Sequence, residues 1–162
     1  MRAILTEIEV KNFMGVDNFS ASFDAVENTI SAANGTGKTT VMLHAPNWML
    51  FGINGVGDTK FRFKPIDKTN EDFHVLNIET SVSCKYDVDG EEISFNKTAT
   101  DEYTKKDSNG VAKFKANKIR YFLNEFEVSA TEYKAKVDEL FDSEAMKMLG
   151  QTHYFMNLHW EK

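Results

Sequence analysis

Apolar and polar residues alternate at the start of the chain, Ile4, Thr6, Ile8 and Val10 against Leu5, Glu7 and Glu9. That period of two predicts a first strand over Ile4 to Val10. Lys11-Asn12-Phe13-Met14-Gly15 reads as a turn, and Phe19 to Phe23 alternates again. The two strands form a hairpin that should lead into a third strand, Asn28 to Ser31. The period then changes. Val41, Met42, Leu43, Ala45 and Trp48-Met49-Leu50-Phe51 predict a buried helix starting near Gly37 and ended by Gly52. Pro46 falls inside it and costs about 3 kcal/mol in a regular helix. The helix should therefore kink near Leu43 to Ala45, or stop there and restart over Trp48 to Phe51.

Gly52 to Asp58 reads as a flexible loop. Lys60-Phe61-Arg62-Phe63-Lys64-Pro65 alternates cations with rings. The preferred reading is an edge strand with Phe61 and Phe63 inward and the cations in water; the other is nucleic-acid contact by stacking and charge. Val75 to Val88 predicts a long strand with Val82, Cys84, Tyr86 and Val88 on one face. Asp89-Gly90 is a two-residue hairpin turn, and Ile93 and Phe95 begin the return strand. Tyr121-Phe122-Leu123 and Phe126-Glu127-Val128 flank a second short turn. Ser129-Ala130-Thr131-Glu132 is a capping box opening a helix with a buried stripe of Tyr133, Val137, Leu140 and Phe141. A second short helix follows from Asp142 or Ser143 to Leu149, and then an aromatic-rich tail. Strands and helices together give an α/β lobe, a mixed sheet with antiparallel hairpins and a few helices.

With 162 residues the chain is long enough for one real core. Its one cysteine, Cys84, excludes an internal disulfide and suits a reducing cytoplasm. No stretch approaches a membrane span, and Glu7 interrupts what a signal peptide would keep apolar. The net charge of −6 argues against a wholly basic nucleic-acid module. Residues 97–120 run against that trend, with seven Lys/Arg against Asp101, Glu102 and Asp107, a net of +4. A solvated hairpin tip explains them, as would contact with a phosphate backbone. The four histidines lack metal-ligand spacing.

One stretch carries chemistry. Thr29 to Thr40 contains Asn34-Gly35-Thr36-Gly37-Lys38-Thr39-Thr40, the second half of the phosphate-binding pattern G-x-x-x-x-G-K-[ST]. Glycines let backbone N–H groups turn onto a triphosphate, the lysine neutralises the β- and γ-phosphates, and the hydroxyl takes Mg²⁺. Ala32 stands where the first glycine belongs. The competing reading is an Asn-Gly-rich turn with an incidental lysine.

The opening Ile-Glu-Val-Lys-Asn-Phe-Met-Gly-Val, the loop Ile30 to Thr40, Trp48-Met49-Leu50-Phe51-Gly52, Lys64-Pro65-Ile66-Asp67, Asp89-Gly90 and Tyr154 to Trp160 together resemble a known family. They are similar to the N-terminal head segment of SMC and SbcC-type ATPases, and more closely to SMC-like AAA-family proteins of phages and prophages. The resemblance implies a P-loop NTPase lobe of ABC/SMC-head type over residues 1–162, half of a split head. A coiled coil and a C-terminal lobe with Walker B and signature motifs would complete it. It implies ATP and Mg²⁺ as cofactors, Lys38 on the β/γ-phosphates, Thr39 on Mg²⁺, Thr40 near the α-phosphate, and Asn34 to Gly37 supplying backbone donors. Gln151 aligns with the Q-loop glutamine, a second Mg²⁺ position. The implied partners are the C-terminal lobe, a second head, DNA and a nuclease subunit, in a bacterial or phage-encoded cytoplasmic system for double-strand-break repair.

The chain departs from the family at Ala32, at Met14 (usually a cation, with Lys11 nearby), at His44 (usually acidic) and at Pro46. A small nucleotide kinase or GTPase is a rival reading, although no Asn-Lys-x-Asp base-reading motif is present. A non-catalytic module with a degraded phosphate loop is the other.

Overall fold

A computed structural model describes residues 2–24, 27–105 and 112–141. The helix expected over residues 142–149, the aromatic tail and Gln151 lie outside them. Six strands form one sheet in the order β2-β1-β5-β6-β7-β8, with β1 Ala3–Phe13, β2 Val16–Ser22, β5 Thr80–Val88, β6 Glu91–Tyr103, β7 Phe114–Leu123 and β8 Phe126–Val128. Every neighbouring pair is antiparallel. A two-stranded ribbon, β3 Ile66–Asp67 with β4 Asn70–His74, stands beside it.

The alternation does what it predicts. Thr80, Val82, Cys84, Tyr86 and Val88 are buried along one face of β5, and Ile93, Phe95, Lys97 and Ala99 continue that face on β6. Two turns close hairpins with left-handed residue pairs, Asp89 (φ 52°) with Gly90 (φ 95°) and Asn124 (φ 47°) with Glu125 (φ 70°). The first hairpin is tighter than expected: β1 runs on to Phe13 and β2 starts at Val16.

The third strand does not form. Asp24 and Asn28 exchange two hydrogen bonds (2.9 and 2.6 Å) that turn the chain, and β1 is already paired on both edges by β2 and β5. The long strand from Val75 is also shorter, beginning at Thr80. Asn77 adopts φ 60°, and its N–H turns onto Asp101 Oδ2 (2.6 Å).

Two helices cover the buried face. The first is helical from Lys38. A wide π-turn, Thr40–His44, closes through Ala45 N–H to Thr40 O, and α1 Ala45–Phe51 follows. Pro46 thereby follows directly on the wide turn, so its missing N–H falls where the helical ladder changes from π to α spacing. The expected disturbance near Leu43 to Ala45 is thus a widened turn that the helix passes through. Gly52, at φ 72°, ends α1 as predicted. The second helix, α2 Ala130–Leu140, carries the predicted capping box, and Tyr133, Val137, Leu140 and Phe141 are buried. Tyr133 binds the helices together by donating to Met49 O (3.2 Å).

The loop after α1 is tied down rather than free. Asn54 Oδ1 accepts from Val56 N and Asp58 N, and Gly55 N–H donates to His44 Nδ1 (2.9 Å). Gly55 packs so closely that an added Cβ would lie 2.5 Å from Leu43 Cγ. Burial lowers the His44 pKa, which keeps the ring neutral and able to accept.

Segment 60–65 is not a strand, although Phe61 and Phe63 do pack against the core. Two lysines expected in water are buried. Lys64 pairs with Asp101, each side chain 2% exposed, and the carboxylate also meets His74 Nε2 at 3.4 Å. Burial raises the Asp101 pKa, but the bonds from Lys64 and from Asn77 N–H outweigh it, so the group is held below its usual value. Lys97 has rings instead of a carboxylate. Its Nζ lies 4.7 Å over Trp48 and 5.4 Å from the Tyr121 ring, and it donates to Trp48 O (2.8 Å). Burial lowers its pKa from 10.5 to about 8.

Asp101→Asn, leaving the Lys64 ammonium uncompensated, is expected to cost about 3–5 kcal/mol in urea unfolding. Lys97 gives a pH signature of known sign. The folded protein releases this proton near 8 and the unfolded chain near 10.5, so between them the unfolded state binds more protons and stability rises with pH. Wild type should gain up to about 3 kcal/mol relative to Lys97→Met across that window. Parallel stability curves for the two proteins would refute it.

Candidate functional site

The phosphate-loop residues come together at the start of the first helix, beside the β1–β2 turn. Gly35 (φ 82°) and Gly37 (φ 93°) both adopt left-handed backbone. Gly37 has a second constraint: an added Cβ would lie 2.7 Å from Val16 Cγ2. Val16 thus sets how deeply the loop sits, and it is a residue that sequence reasoning missed. Its only signal is its place at the start of β2, which the alternation from Phe19 onward does not reach.

Ala32 is not among the residues with positive φ. The first position of the loop therefore makes no demand that only glycine can meet, and alanine sits there without backbone strain. Lys38 folds back over the loop, its Nζ donating to Ala32 O (2.6 Å) and Ala33 O (2.8 Å). Thr36 Oγ1 donates to the same Ala33 carbonyl (2.8 Å). These bonds close the loop into a ring with the ammonium across its mouth.

The first turn supplies donors. Val41 N–H bonds Gly37 O (2.9 Å), so the N–H groups of Lys38, Thr39 and Thr40 precede the helical ladder and have no carbonyl one turn back. Thr39 is exposed and makes no side-chain cap bond, which leaves its hydroxyl uncommitted. Asn34, Gly35 and Thr36 are exposed at the loop's tip. A triphosphate with Mg²⁺ fits this donor set: an ammonium, helix-start N–H groups and one hydroxyl, with the remaining magnesium positions left to water and phosphate. Among the described residues no cluster of His, Cys, Asp and Glu could hold a metal by itself.

The departures find structural explanations. Met14 is half-buried at φ 52° and donates its N–H to Phe63 O (2.6 Å), fastening segment 60–65 to the turn beside the loop. Lys11 cannot stand in for a cation at Met14. It pairs with Glu9 (3.5 Å) on the sheet face opposite the buried Ile8 and Val10, away from the helices. His44 serves the loop after α1. Gln151 lies outside the described residues.

A cavity of about 1040 Å³ lies away from the phosphate loop. It opens at the far end of α1, between Leu50, Phe51, Lys97, Tyr121 and Tyr133. Among the described residues no helix is long and apolar enough to cross a membrane.

A sequence-family profile described as an AAA domain matches residues 7–159. No curated protein matches the chain. Among solved structures, the chain is similar to one from work on the structural biochemistry of ATP-driven dimerization and DNA-stimulated activation of SMC ATPases. The TM-score is 0.52 at 14% identity, over 91% of this chain and 92% of that one. At that identity the likeness is one of fold, and it agrees with the α/β lobe of antiparallel hairpins read from the sequence. This chain belongs to the AAA domain family and has the fold of an SMC ATPase head.

Proposed function

We propose that residues 1–162 are the ATP-binding N-terminal lobe of an SMC-like ATPase, one half of a split head. The observation that carries this reading is the closed phosphate loop, with Lys38 Nζ across the Ala32 and Ala33 carbonyls and Gly37 seated on Val16. Lys38 would exchange those carbonyls for β- and γ-phosphate oxygens. The backbone of Asn34 to Gly37 and the first helical turn would donate to the phosphate chain, with Thr40 near the α-phosphate. Thr39 would place its hydroxyl on Mg²⁺, and Gln151 would supply the Q-loop ligand. Bound Mg²⁺ neutralises charge on the phosphates during transfer. The chain's own residues hold and orient the nucleotide.

Hydrolysis would need the Walker B carboxylates and signature loop of a complementary lobe and a second head. The groove at the far end of α1, where Leu50, Ile53, Tyr121 and Tyr133 are joined by Lys97, Lys134, Asp138 and Glu139, is a suitable face for that lobe. The assembled heads would act on DNA in double-strand-break repair or recombination, with a nuclease subunit as partner, in a bacterial or phage-encoded cytoplasmic system. Alone, the lobe should bind ATP weakly and turn over scarcely at all.

Calorimetry with Mg·ATP tests the reading. Lys38→Ala should weaken binding by 10-fold or more, consistent with losing a charged hydrogen bond of about 1.5–3 kcal/mol. Gly37→Ala should do the same, because its Cβ meets Val16 at a φ of 93°. Ala32→Gly should change affinity by less than about 3-fold, since there is no strain to relieve. Binding that survives Lys38→Ala and Gly37→Ala would move the site elsewhere. No binding by any of the four proteins would favour a phosphate loop kept only as structure.

A further inference from the structure

The sheet has two edges, and they are protected differently. At one, β8 covers Tyr121 to Leu123 of β7, and Phe73 and His74 of the ribbon pack on Phe114 at the strand's other end. The exposed cations Lys118 and Arg120 lie between. Charges on an edge strand repel an identical strand that approaches it. The other edge is β2, Val16–Ser22. It contains no lysine, arginine or proline, its one charge is Asp17, and no register shift interrupts its pairing with β1.

The direction of the β2 backbone follows from one bond. Phe23, just beyond the strand, donates its N–H to Thr6 O (2.8 Å). In the register that pairs Ser22 with Glu7, Ala21 and Phe19 therefore also turn their N–H and C=O groups onto β1. Asn18, Ser20 and Ser22 turn theirs off the edge of the sheet, and all three residues are exposed. Among the described residues no strand pairs with that side and no turn or loop bonds to it. Alternating donors and acceptors of this kind match an extended backbone. The apolar face also runs out to this edge. Phe19, Ala21 and Phe23 pack against the core from β2, yet each remains partly exposed.

The strand is complementary to itself. Turned end for end about Phe19, it sets Val16 opposite Ser22, Asn18 opposite Ser20 and Asp17 opposite Ala21. Outward backbone groups then meet outward groups, and no charge faces its like. Phe19 meets Phe19 on the core-facing side, where an aromatic cross-strand pair is favourable.

We propose that β2 pairs antiparallel with β2 of a second copy of this chain, continuing the sheet across a twofold axis at Phe19. The contact is isologous, each copy giving and receiving the same backbone bonds. A single strand pair buries less than the roughly 1,600 Å² of a standard interface, so the dimer is a weak one. It uses no group of Lys38 or Thr39 and does not rest on the ATP-binding reading.

Sedimentation equilibrium of the full chain without nucleotide tests it. Over about 10 μM to 1 mM, the span that a Kd near 100 μM requires, monomer should give way to dimer. Ser20→Pro removes an outward N–H, a change that edge strands tolerate, and should weaken the dimer by about 10-fold or more. Asn18→Lys with Ser20→Lys, at two exposed positions, sets lysines directly opposite each other and should weaken it by at least about as much. Unchanged thermal midpoints would show that these variants remain folded, and the lysine pair decides the matter if the proline variant does not fold. Lys38→Ala and Lys118→Ser should dimerise like the parent. The amides of Asn18, Ser20 and Ser22 should exchange hydrogen more slowly at the high concentration than at the low one. A monomer throughout the range would overturn the proposal. So would a dimer that survives the lysine pair, or amide exchange at these three residues that does not change with concentration.

Discussion

The first helix is held in place by Trp48. Its ring lies 5.4 Å from Phe13 and 5.0 Å from Phe63, with the Lys97 ammonium over it at 4.7 Å. Its carbonyl accepts from Gly52 N–H and from Lys97 Nζ. One residue thus joins β1, segment 60–65, β6 and the end of α1. The opposite end is set by Gly37 against Val16, on the strand that pairs with β1. A helix pinned at both ends to one hairpin and its neighbours cannot slide, and that fixes where Lys38 and Thr39 present their groups.

The two buried lysines show different ways of keeping a cation out of water. Lys64 has a carboxylate, and Asp101 in turn gathers His74, the Asn77 N–H and the Tyr103 hydroxyl, the last at 3.4 Å. That arrangement ties segment 60–65, the β3–β4 ribbon and the strand entry at Thr80 to β6. Lys97 has only ring faces and one carbonyl, and burial there lowers its pKa to about 8. The first arrangement is built for anchorage. The second closes the C-terminal end of α1, where helix carbonyls favour a cation.

What the sequence made legible was local. The alternation of Val82 to Val88, the Asp89-Gly90 turn, the Ser129–Glu132 capping box and the glycine stop at Gly52 each depend on neighbours within a turn or two. What stayed hidden depends on distant partners. Lys64 is buried because Asp101 lies 37 residues on, and Lys97 because Trp48 lies 49 residues back. Asn28 to Ser31 looks like a strand locally, but both edges of β1 were taken by segments that no local pattern could rank above it. In the candidate site, the glycines, Lys38 and Thr39 could be read from their spacing. The contact of Val16 could not, because it comes from the fold of a hairpin on a helix.

The same division explains why the missing first glycine matters so little to the loop's shape. Left-handed backbone falls at Gly35 and Gly37, and the close approach to another strand falls at Gly37 alone. Ala32 contributes a carbonyl, which any residue has, and that carbonyl holds Lys38 Nζ at 2.6 Å. The pattern of required residues in this loop follows from where the chain must turn and where it must touch β2. Position 32 faces neither demand, so the loop keeps its closed form, with the ammonium held on the Ala32 and Ala33 carbonyls, in spite of the altered motif.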